Sequence, residues 1–586
     1  MSNPPLVTAE EMRNIEETAF AAGATAEALM EKAGRGIADT VEKFFPNGGT
    51  FEAHYGKGHN GGDILVAACY LAERGWRIIE RPAFPEASLT PLTAKCLARL
   101  RVIASPKKDT EATASHRGGR GVGSTENTEN AGSSGGEVEQ SPSIPSTPSI
   151  LSIPSPSASS PLVIGDGLLG IGARGAPRGE IAQAIAAINT ARNERRAWVI
   201  AADIPSGLDA DTGIPATDCV TADCTATIGF AKKGLVADTA TNYVGRLELI
   251  PLGMESSALC IYAHISTSHK NECLITSAPM PVLPYDRHKG DAGRVSLVVG
   301  SMRYPGAARL AAAAAVRGGA GLVTLFVPPE LAPILAASCV PEVMIFPTND
   351  IREVLRHPAD AIAIGAGLGR DRDLHVTHII AEATVPLVID ADALNALAES
   401  SCHGTMRTIR TNGTLGTPPK SQSSQASQMS QMSHNENVHE TPILLSRARA
   451  PRILTPHPGE MERLYPRNGR TRRDWARDFA TKFLSPADTL ILKGSRTIVA
   501  TSDGTLFYNT TGNPGMASGG MGDVLTGVTA AFLAQKIPPL EAAKNAVYLC
   551  GRAAEIAVVH IQSPQSLCAS DIISHLGLAM RETPAM

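Results

Sequence analysis

One pattern recurs along this chain and restricts its fold more than any other: a short apolar run that ends in Gly, Asp or Pro and gives way to a helical stretch. FEAHY, PLVIGD and AWVIAAD do so in the first half. RVSLVVGS, LVTLFVP, AIAIGAG, PLVIDAD, RILTPHP and TLILKGS do so in the second, with Ala-rich segments between them. Strand, loop and helix therefore alternate, and both halves read as α/β. In open α/β sheets ligands bind beyond the carboxyl ends of the strands, so the polar and Gly-rich residues after each apolar run are where function is expected.

A chain of 586 residues exceeds what one hydrophobic core usually organises, and the apolar patterns on either side of the irregular stretch Gly253 to Pro284 look like separate units. Two domains are expected, 1–252 and 285–586. Residues 106–160 shift abruptly to Ser, Gly, Thr, Glu and Pro, and 411–440 to Ser, Gln and Thr. Both read as disordered insertions in surface loops, with no function assigned. Hydrophobic residues, 43% of the chain, supply packed cores, while 53 basic against 57 acidic residues without a long basic block argue against a nucleic-acid partner. The most apolar region, ARLAAAAAVRGGAGLV, is interrupted by Arg309, Arg317 and glycines and falls short of the roughly 20 apolar residues of a membrane span. No membrane partner is expected. Ten cysteines without zinc or redox spacing point to reduced thiols, and an acidic N-terminus without signal character points to the cytoplasm. A homo-oligomer is compatible with all of this.

The segment GNPGMASGGMGDVLTGVTAAFLAQ sets a Gly-rich loop directly before an apolar-periodic helix, with Asp523 in its first turn. Glycines let backbone N–H groups approach an anion closely, and the helix dipole adds partial positive charge there. A carboxylate beside such an anion hole can engage a substrate hydroxyl while the amides hold a transferring phosphoryl group. Helix capping is the plainer reading of the same aspartate, and this segment alone leaves both open. The loop is not a P-loop, since no GxxxxGK[ST] occurs.

Three further strand ends supply context. TPHPGE brings His457 and Glu460 to the presumed ligand edge. LILKGSRT brings Lys493 and the run Gly494 to Thr497 out of a buried strand, a place suited to nucleotide phosphates. PLVIDADALNAL ends a strand at Asp390 and Asp392 and starts a helix at Asn395, for metal, ribose or capping. Taken singly, such a His is more often structural and such a Lys solvated.

HKGDAG, GAARLAAAAAVRGGAGLV, AIGAGLG, DADALN, TPHPGE, LKGSRT and GNPGMASGGMGDVL, in this order from His288, together resemble the ribokinase-like superfamily, and within it the ADP/ATP-dependent NAD(P)H-hydrate dehydratases. The resemblance implies a C-terminal ribokinase-like α/β domain. There the hydroxyl of a hydrated nicotinamide ring is phosphorylated by ADP or ATP and phosphate is eliminated, with Mg²⁺ accompanying the nucleotide. It also implies that Ala307, Gly367, His457 and Asp523 contact the hydrated cofactor, Asp523 being catalytic. Lys493, Gly494, Ser495, Arg496, Thr497 and Gly522 would contact the nucleotide.

In the N-terminal half, YGKGHNGGDILVAACYLAERGW sets a Gly-rich turn between a short strand and a helix, with Asn60 and Asp63 inside the turn. By itself this turn is weak support for an ordinary dehydrogenase reading. IGDGLLGIGARGAP presents Asp166 and then the glycine-rich stretch Gly170 to Ala176. AADIPSGLDADTG presents Asp203 and Ser206 in a turn set by Pro205 and Gly207. Three polar turns thus share one sheet edge, where a carboxylate could move a proton on or off carbon; turn-stabilising aspartates are the plainer alternative.

NGGD, the aspartate-led glycine loop and DIPSGLDADTG resemble the NAD(P)H-hydrate epimerase domain over about residues 8 to 250, the insertion apart, and imply a Rossmann-like three-layer α/β domain. By that resemblance Asn60, Asp166 and Ser206 ligate K⁺, for which hard oxygen donors are suited. His59, Asn60, Gly61, Gly62 and Asp63 would hold the hydrate, together with Gly170, Ile171, Gly172, Ala173, Arg174, Gly175 and Ala176, and with Asp203, which would be catalytic. Where the family often reads DALLGTG this chain has DGLLGIG, with Gly167 for Ala and Ile171 for Thr. The whole then reads as a repair enzyme whose first domain interconverts R and S hydrates and whose second dehydrates the S form. Its rivals are a ribokinase-like small-molecule hydroxyl kinase and an N-terminal domain that only binds or scaffolds.

Overall fold

The computed structural model describes residues 3–104, 160–254, 272–402, 445, 448–560 and 562–584. The expected insertions 106–160 and 411–440 lie outside the described residues, residue 160 apart.

Six strands of the first unit, β1 (Thr50–Tyr55), β2 (Arg77–Pro82), β3 (Leu162–Gly167), β4 (Trp198–Ala202), β5 (Cys224–Ile228) and β6 (Arg246–Ile250), form a sheet in the order β2-β1-β3-β4-β5-β6. Every pairing is parallel. Side chains alternate across a strand, so each strand feeds two cores. Phe51, Val163 and Ile200 pack with the helices Ala9–Ala21, Ala26–Phe44, His59–Glu73 and Pro91–Ala104 on one face. Ile164, Val199 and Ala201 meet Ile181, Ile185 and Ile188 of the helix Glu180–Glu194 on the other. The result is the expected Rossmann-like three-layer unit. Its strand order reverses between β1 and β3, where a doubly wound sheet leaves a crevice.

The second sheet comprises β7 (Glu272–Ile275), β8 (Arg294–Val298), β9 (Leu322–Val327), β10 (Val343–Pro347), β11 (Ala361–Ile364), β12 (Leu387–Ile389), β13 (Arg452–Leu454), β14 (Thr489–Leu492), β15 (Ile498–Thr501) and β16 (Leu506–Asn509). Their order is β10-β9-β8-β11-β12-β13-β14-β15-β16-β7, with β15 antiparallel to both neighbours. Here the reversal falls between β8 and β11, and helices cover both faces, as the ribokinase-like reading requires. The Ala-rich run has a packing reason. The helix Pro305–Arg317 lies so close to Met521–Ala534 that a Cβ on Gly527 would stand 2.9 Å from that of Ala314. Small residues on both surfaces permit that approach and fix where the second helix begins.

Three expectations need correction. The stretch Gly253 to Pro284, read as an irregular boundary, contains β7, which joins the second sheet and bridges the start of the chain. Leu6 N donates to Glu272 O and Leu274 N to Pro4 O, each at 2.8 Å. A four-residue edge strand carries too little periodicity to be read in advance. Asn60 and Asp63 lie in a helix that already begins at His59, because the adjacent glycines serve close packing instead of a turn: a Cβ on Gly62 would stand 2.5 Å from Met30 Sδ. Likewise the helix expected at Asn395 begins at Ala391. Among the described residues no helix is long and apolar enough to cross a membrane.

Candidate active sites

The helix Met521–Ala534 starts after Gly520, whose φ of 90° is a left-handed conformation that glycine adopts without a Cβ penalty. No side chain caps this end, which leaves its first N–H groups for an anion. Asp523 is the third residue of the helix and not its cap, so capping does not account for it. Burial raises its pKa to about 6, and Asp390 adds to the rise while Lys493 opposes it.

Asp390, just past β12 and 2% exposed, organises what surrounds that aspartate. Its Oδ1 accepts from Thr455 Oγ1 at 2.7 Å and from Lys493 Nζ at 2.8 Å; its Oδ2 accepts from Thr526 Oγ1 at 2.9 Å. Lys493 also stands 3.8 Å from Glu460 Oε2. Burial works against the ammonium, but Asp390, Glu460 and Asp523 outweigh it and lift its pKa. Glu460 is shifted upward by burial and by Asp390 despite Lys493. A Cβ on Gly522 would lie 3.3 Å from Lys493 Nζ and 3.6 Å from Asp390 Oδ2, so the glycine turn, the ammonium and the carboxylates form one site.

Ala307 and Gly367 follow β8 and β11 and meet at the reversal point: a Cβ on Gly367 would come 2.7 Å from that of Ala307. His457 caps the helix Pro458–Leu464, its Nδ1 accepting from Gly459 N at 3.0 Å and Glu460 N at 3.4 Å, with the ring half-exposed. Gly494 and Ser495 are exposed, and Thr497 Oγ1 donates to Gly494 O at 3.1 Å. Arg496 turns elsewhere. It is buried, its Nη2 donates to Gly245 O of the first unit at 2.9 Å, and burial lowers its pKa to about 10. Its side chain therefore does not join Lys493. Thr455 and Thr526, which orient Asp390, escaped the sequence reading because a lone threonine at a strand end or inside a helix carries no spacing signal.

In the first unit Asn60, Asp166 and Ser206 converge from the ends of β1, β3 and β4. Asp166 is fully buried. Its Oδ1 accepts from Ser206 Oγ at 2.7 Å and Leu168 N at 3.2 Å, and its Oδ2 from Ser206 N at 2.8 Å. Burial nevertheless raises its pKa, because none of these donors is charged. Asn60 Nδ2 donates to Leu169 O at 3.2 Å and Ala202 O at 2.9 Å, which ties the helix start to both neighbouring strand ends. The Gly167 departure has a structural counterpart: a Cβ there would stand 2.5 Å from Asn60 O and 2.7 Å from Ile64 Cγ1. Ile171 is partly buried among hydrophobic residues, and Arg13 Nη2 donates to its carbonyl at 3.2 Å. Gly172 to Ala176 and His59 are exposed beside the crevice, and Gly61 is buried against Gly56.

Asp203 holds a φ of 67°, unusual for a residue with a side chain. Its Oδ1 accepts from Ile228 N at 3.0 Å and from Lys232 Nζ, and that ammonium also donates to Ile228 O at 3.1 Å. Asp63 is buried nearby and pushed well above the usual carboxylate range by burial, Asp203 and Glu16. Glu16 is also raised, by burial and Asp203, with Lys232 and Arg13 opposing. Lys232 and Glu16 were not foreseen. A Lys-Lys pair in a loop reads as solvated, and no motif links it to an aspartate 29 positions earlier.

Comparison with known proteins adds the following. A family model described as YjeF-related protein N-terminus matches residues 26–234, and one described as NAD(P)H-hydrate dehydratase matches 295–418 and 426–575. A bifunctional NAD(P)H-hydrate repair enzyme of Moorella thermoacetica is 31% identical over 98% of this chain and 96% of its own. One from Leishmania major is 33% identical over 87% of this chain and 81% of its own. A crystal structure of ADP/ATP-dependent NAD(P)H-hydrate dehydratase from Bacillus subtilis, co-crystallized with ATP/Mg²⁺, has 28% identity, covering 52% of this chain and 94% of that one with a TM-score of 0.40.

Proposed function

The chain belongs to the bifunctional NAD(P)H-hydrate repair enzymes, and from that premise we propose that each unit carries its own reaction at the site described above. The enzyme epimerises the R and S forms of hydrated NAD(P)H and dehydrates the S form at the expense of ADP or ATP. One observation carries the assignment of the second site: a carboxylate outside any capping role stands beside an uncapped helix start and a partly buried ammonium. The turn Gly519 to Gly522 and Lys493 hold the nucleotide phosphates, and Asp523 accepts the hydroxyl proton as the phosphoryl group is transferred. Elimination of phosphate then restores the dihydronicotinamide ring. Bound with the nucleotide, Mg²⁺ would supply positive charge to offset that of the phosphate oxygens during transfer. Among the described residues no group of three or more His, Cys, Asp or Glu is placed to hold a metal ion.

In the first unit Asn60, Asp166 and Ser206 would hold K⁺. The fit lies in Asp166, a fully buried carboxylate whose hydrogen-bond donors are all neutral, which a monovalent cation would stabilise by supplying the missing positive charge. Asp203 carries the proton. The ring carbon to be inverted bears both the hydroxyl and the ring nitrogen. Asp203 takes the O–H proton as the C–N bond opens to a carbonyl, and the bonding pair and that proton pass to nitrogen. Rotation and the reverse sequence close the other epimer, with no net gain or loss.

The test uses purified protein with each hydrate and ADP or ATP, following the return of dihydronicotinamide absorbance. Asp523→Asn is expected to lower dehydration by at least about 100-fold and leave epimerisation intact; Asp203→Asn does the reverse. Equal loss of both activities in either variant contradicts two separate sites. No observation favours the small-molecule kinase reading, which requires a phosphorylated product to accumulate.

A further inference from the structure

The epimerisation site contains a charged side chain to which no role has been given. Lys232 is 1% exposed, and burying an ammonium is costly unless it is paired and hydrogen-bonded. It is both, through Asp203 Oδ1 and Ile228 O. The segment bearing it is clamped from several sides: Val7 N donates to Ala231 O and Lys233 N to Val7 O, each at 2.9 Å, and Arg473 Nη2 of the second unit donates to Lys233 O at 3.4 Å. Asp203 is equally constrained, with its left-handed backbone held by Asp203 N donating to Ala226 O at 2.8 Å. A non-glycine residue in that region is strained, and such strain collects at functional sites.

We propose that Lys232 is a positioning residue for epimerisation: with Ile228 N it occupies Asp203 Oδ1 and so turns Oδ2 toward the hydrate as the atom that carries the proton. The proposal rests on the reading that the first unit epimerises the hydrates. Stability does not account for the pair, since a buried ion pair adds little over an apolar pair of the same size. The groups facing it are Arg13 and Glu16 from Ala9–Ala21 and Asp63 from His59–Glu73. Burial pushes both Glu16 and Asp63 toward their protonated forms, and of these three acidic side chains Asp203 is the one that the ammonium bonds.

The full-length protein is tested with Lys232→Met. Epimerisation kcat is expected to fall by about 100-fold with KM within about threefold, while dehydration of the S hydrate is unchanged. In Lys232→Ala, added methylammonium is expected to restore at least about tenfold of the loss, as a diffusible replacement for the missing charge. Asp203→Asn combined with Lys232→Met should be no slower than Asp203→Asn alone, because a positioning residue has nothing left to position. Near wild-type kcat in Lys232→Met, a loss that methylammonium does not reverse, or a further loss in the double variant overturns the proposal. If Lys232→Met does not fold, the double variant, which buries no unpaired charge, answers by the same comparison. A wild-type protein unable to interconvert the hydrates would remove the premise instead, so the two failures are distinguishable.

Discussion

The role proposed for Asp523 depends on a charge state set by burial and by its neighbours. Accepting a hydroxyl proton requires the carboxylate, so dehydration is expected to fall as pH drops through about 6, where burial and Asp390 place its titration. Asp390→Asn removes the repelling charge and should move the midpoint down. Lys493→Met removes an opposing cation and should move it up. Profiles of kcat/KM against pH for the three proteins check this; a midpoint that stays put in both variants means that another group titrates. The aspartate, the glycine turn and the lysine were legible in the sequence because each falls at a strand or helix end in a dense motif. Asp390 was visible but ambiguous among metal, ribose and capping, and only its bonds to Thr455, Lys493 and Thr526 show an organising role.

At the scale of elements, the meeting of β3 with the helix His59–Glu73 depends on a missing side chain. A Cβ on Gly167 would stand 2.5 Å from the backbone carbonyl of Asn60, which cannot rotate away as a flexible side-chain tip would. Gly167→Ala should therefore displace the helix start that carries Asn60, at a cost of about 1–3 kcal/mol. A K⁺ titration of epimerisation is expected to show a higher half-saturating concentration, and an unchanged one would separate Asn60 from the cation. The apolar runs were read correctly as strands because burial on both faces leaves Val, Ile and Leu without interruption. The helix starts at His59 and Ala391 were misplaced, since the same glycines and aspartates that make turns also make close contacts and first helical turns.

Across the whole molecule the two units are joined as well as adjacent. Leu235, Val244 and Leu247 share a core with Leu274 and Tyr508, and Arg246 Nε donates at 2.8 Å to Glu555 Oε1, which also accepts from Gly512 N at 2.9 Å. Gly512 opens the loop that leads to Asp523. Thermal unfolding is expected as one calorimetric transition for both units. Glu555→Ala should destabilise the protein by about 3–5 kcal/mol, because it strips a buried partner from Arg246 and Arg552. Two separated transitions in the wild-type protein would refute that coupling.

What the sequence determined by itself was local: alternating elements, glycine turns and the acidic or basic residues at strand ends, all set by neighbours a few positions apart. The tertiary structure decided what depends on distant partners. It placed β7 and the first residues of the chain on the same sheet edge, turned Arg496 to the other unit, and brought Lys232 against Asp203. Backbone periodicity records which face is buried, but not which side chain from elsewhere will fill it, because packing and charge pairing are settled only when remote segments meet.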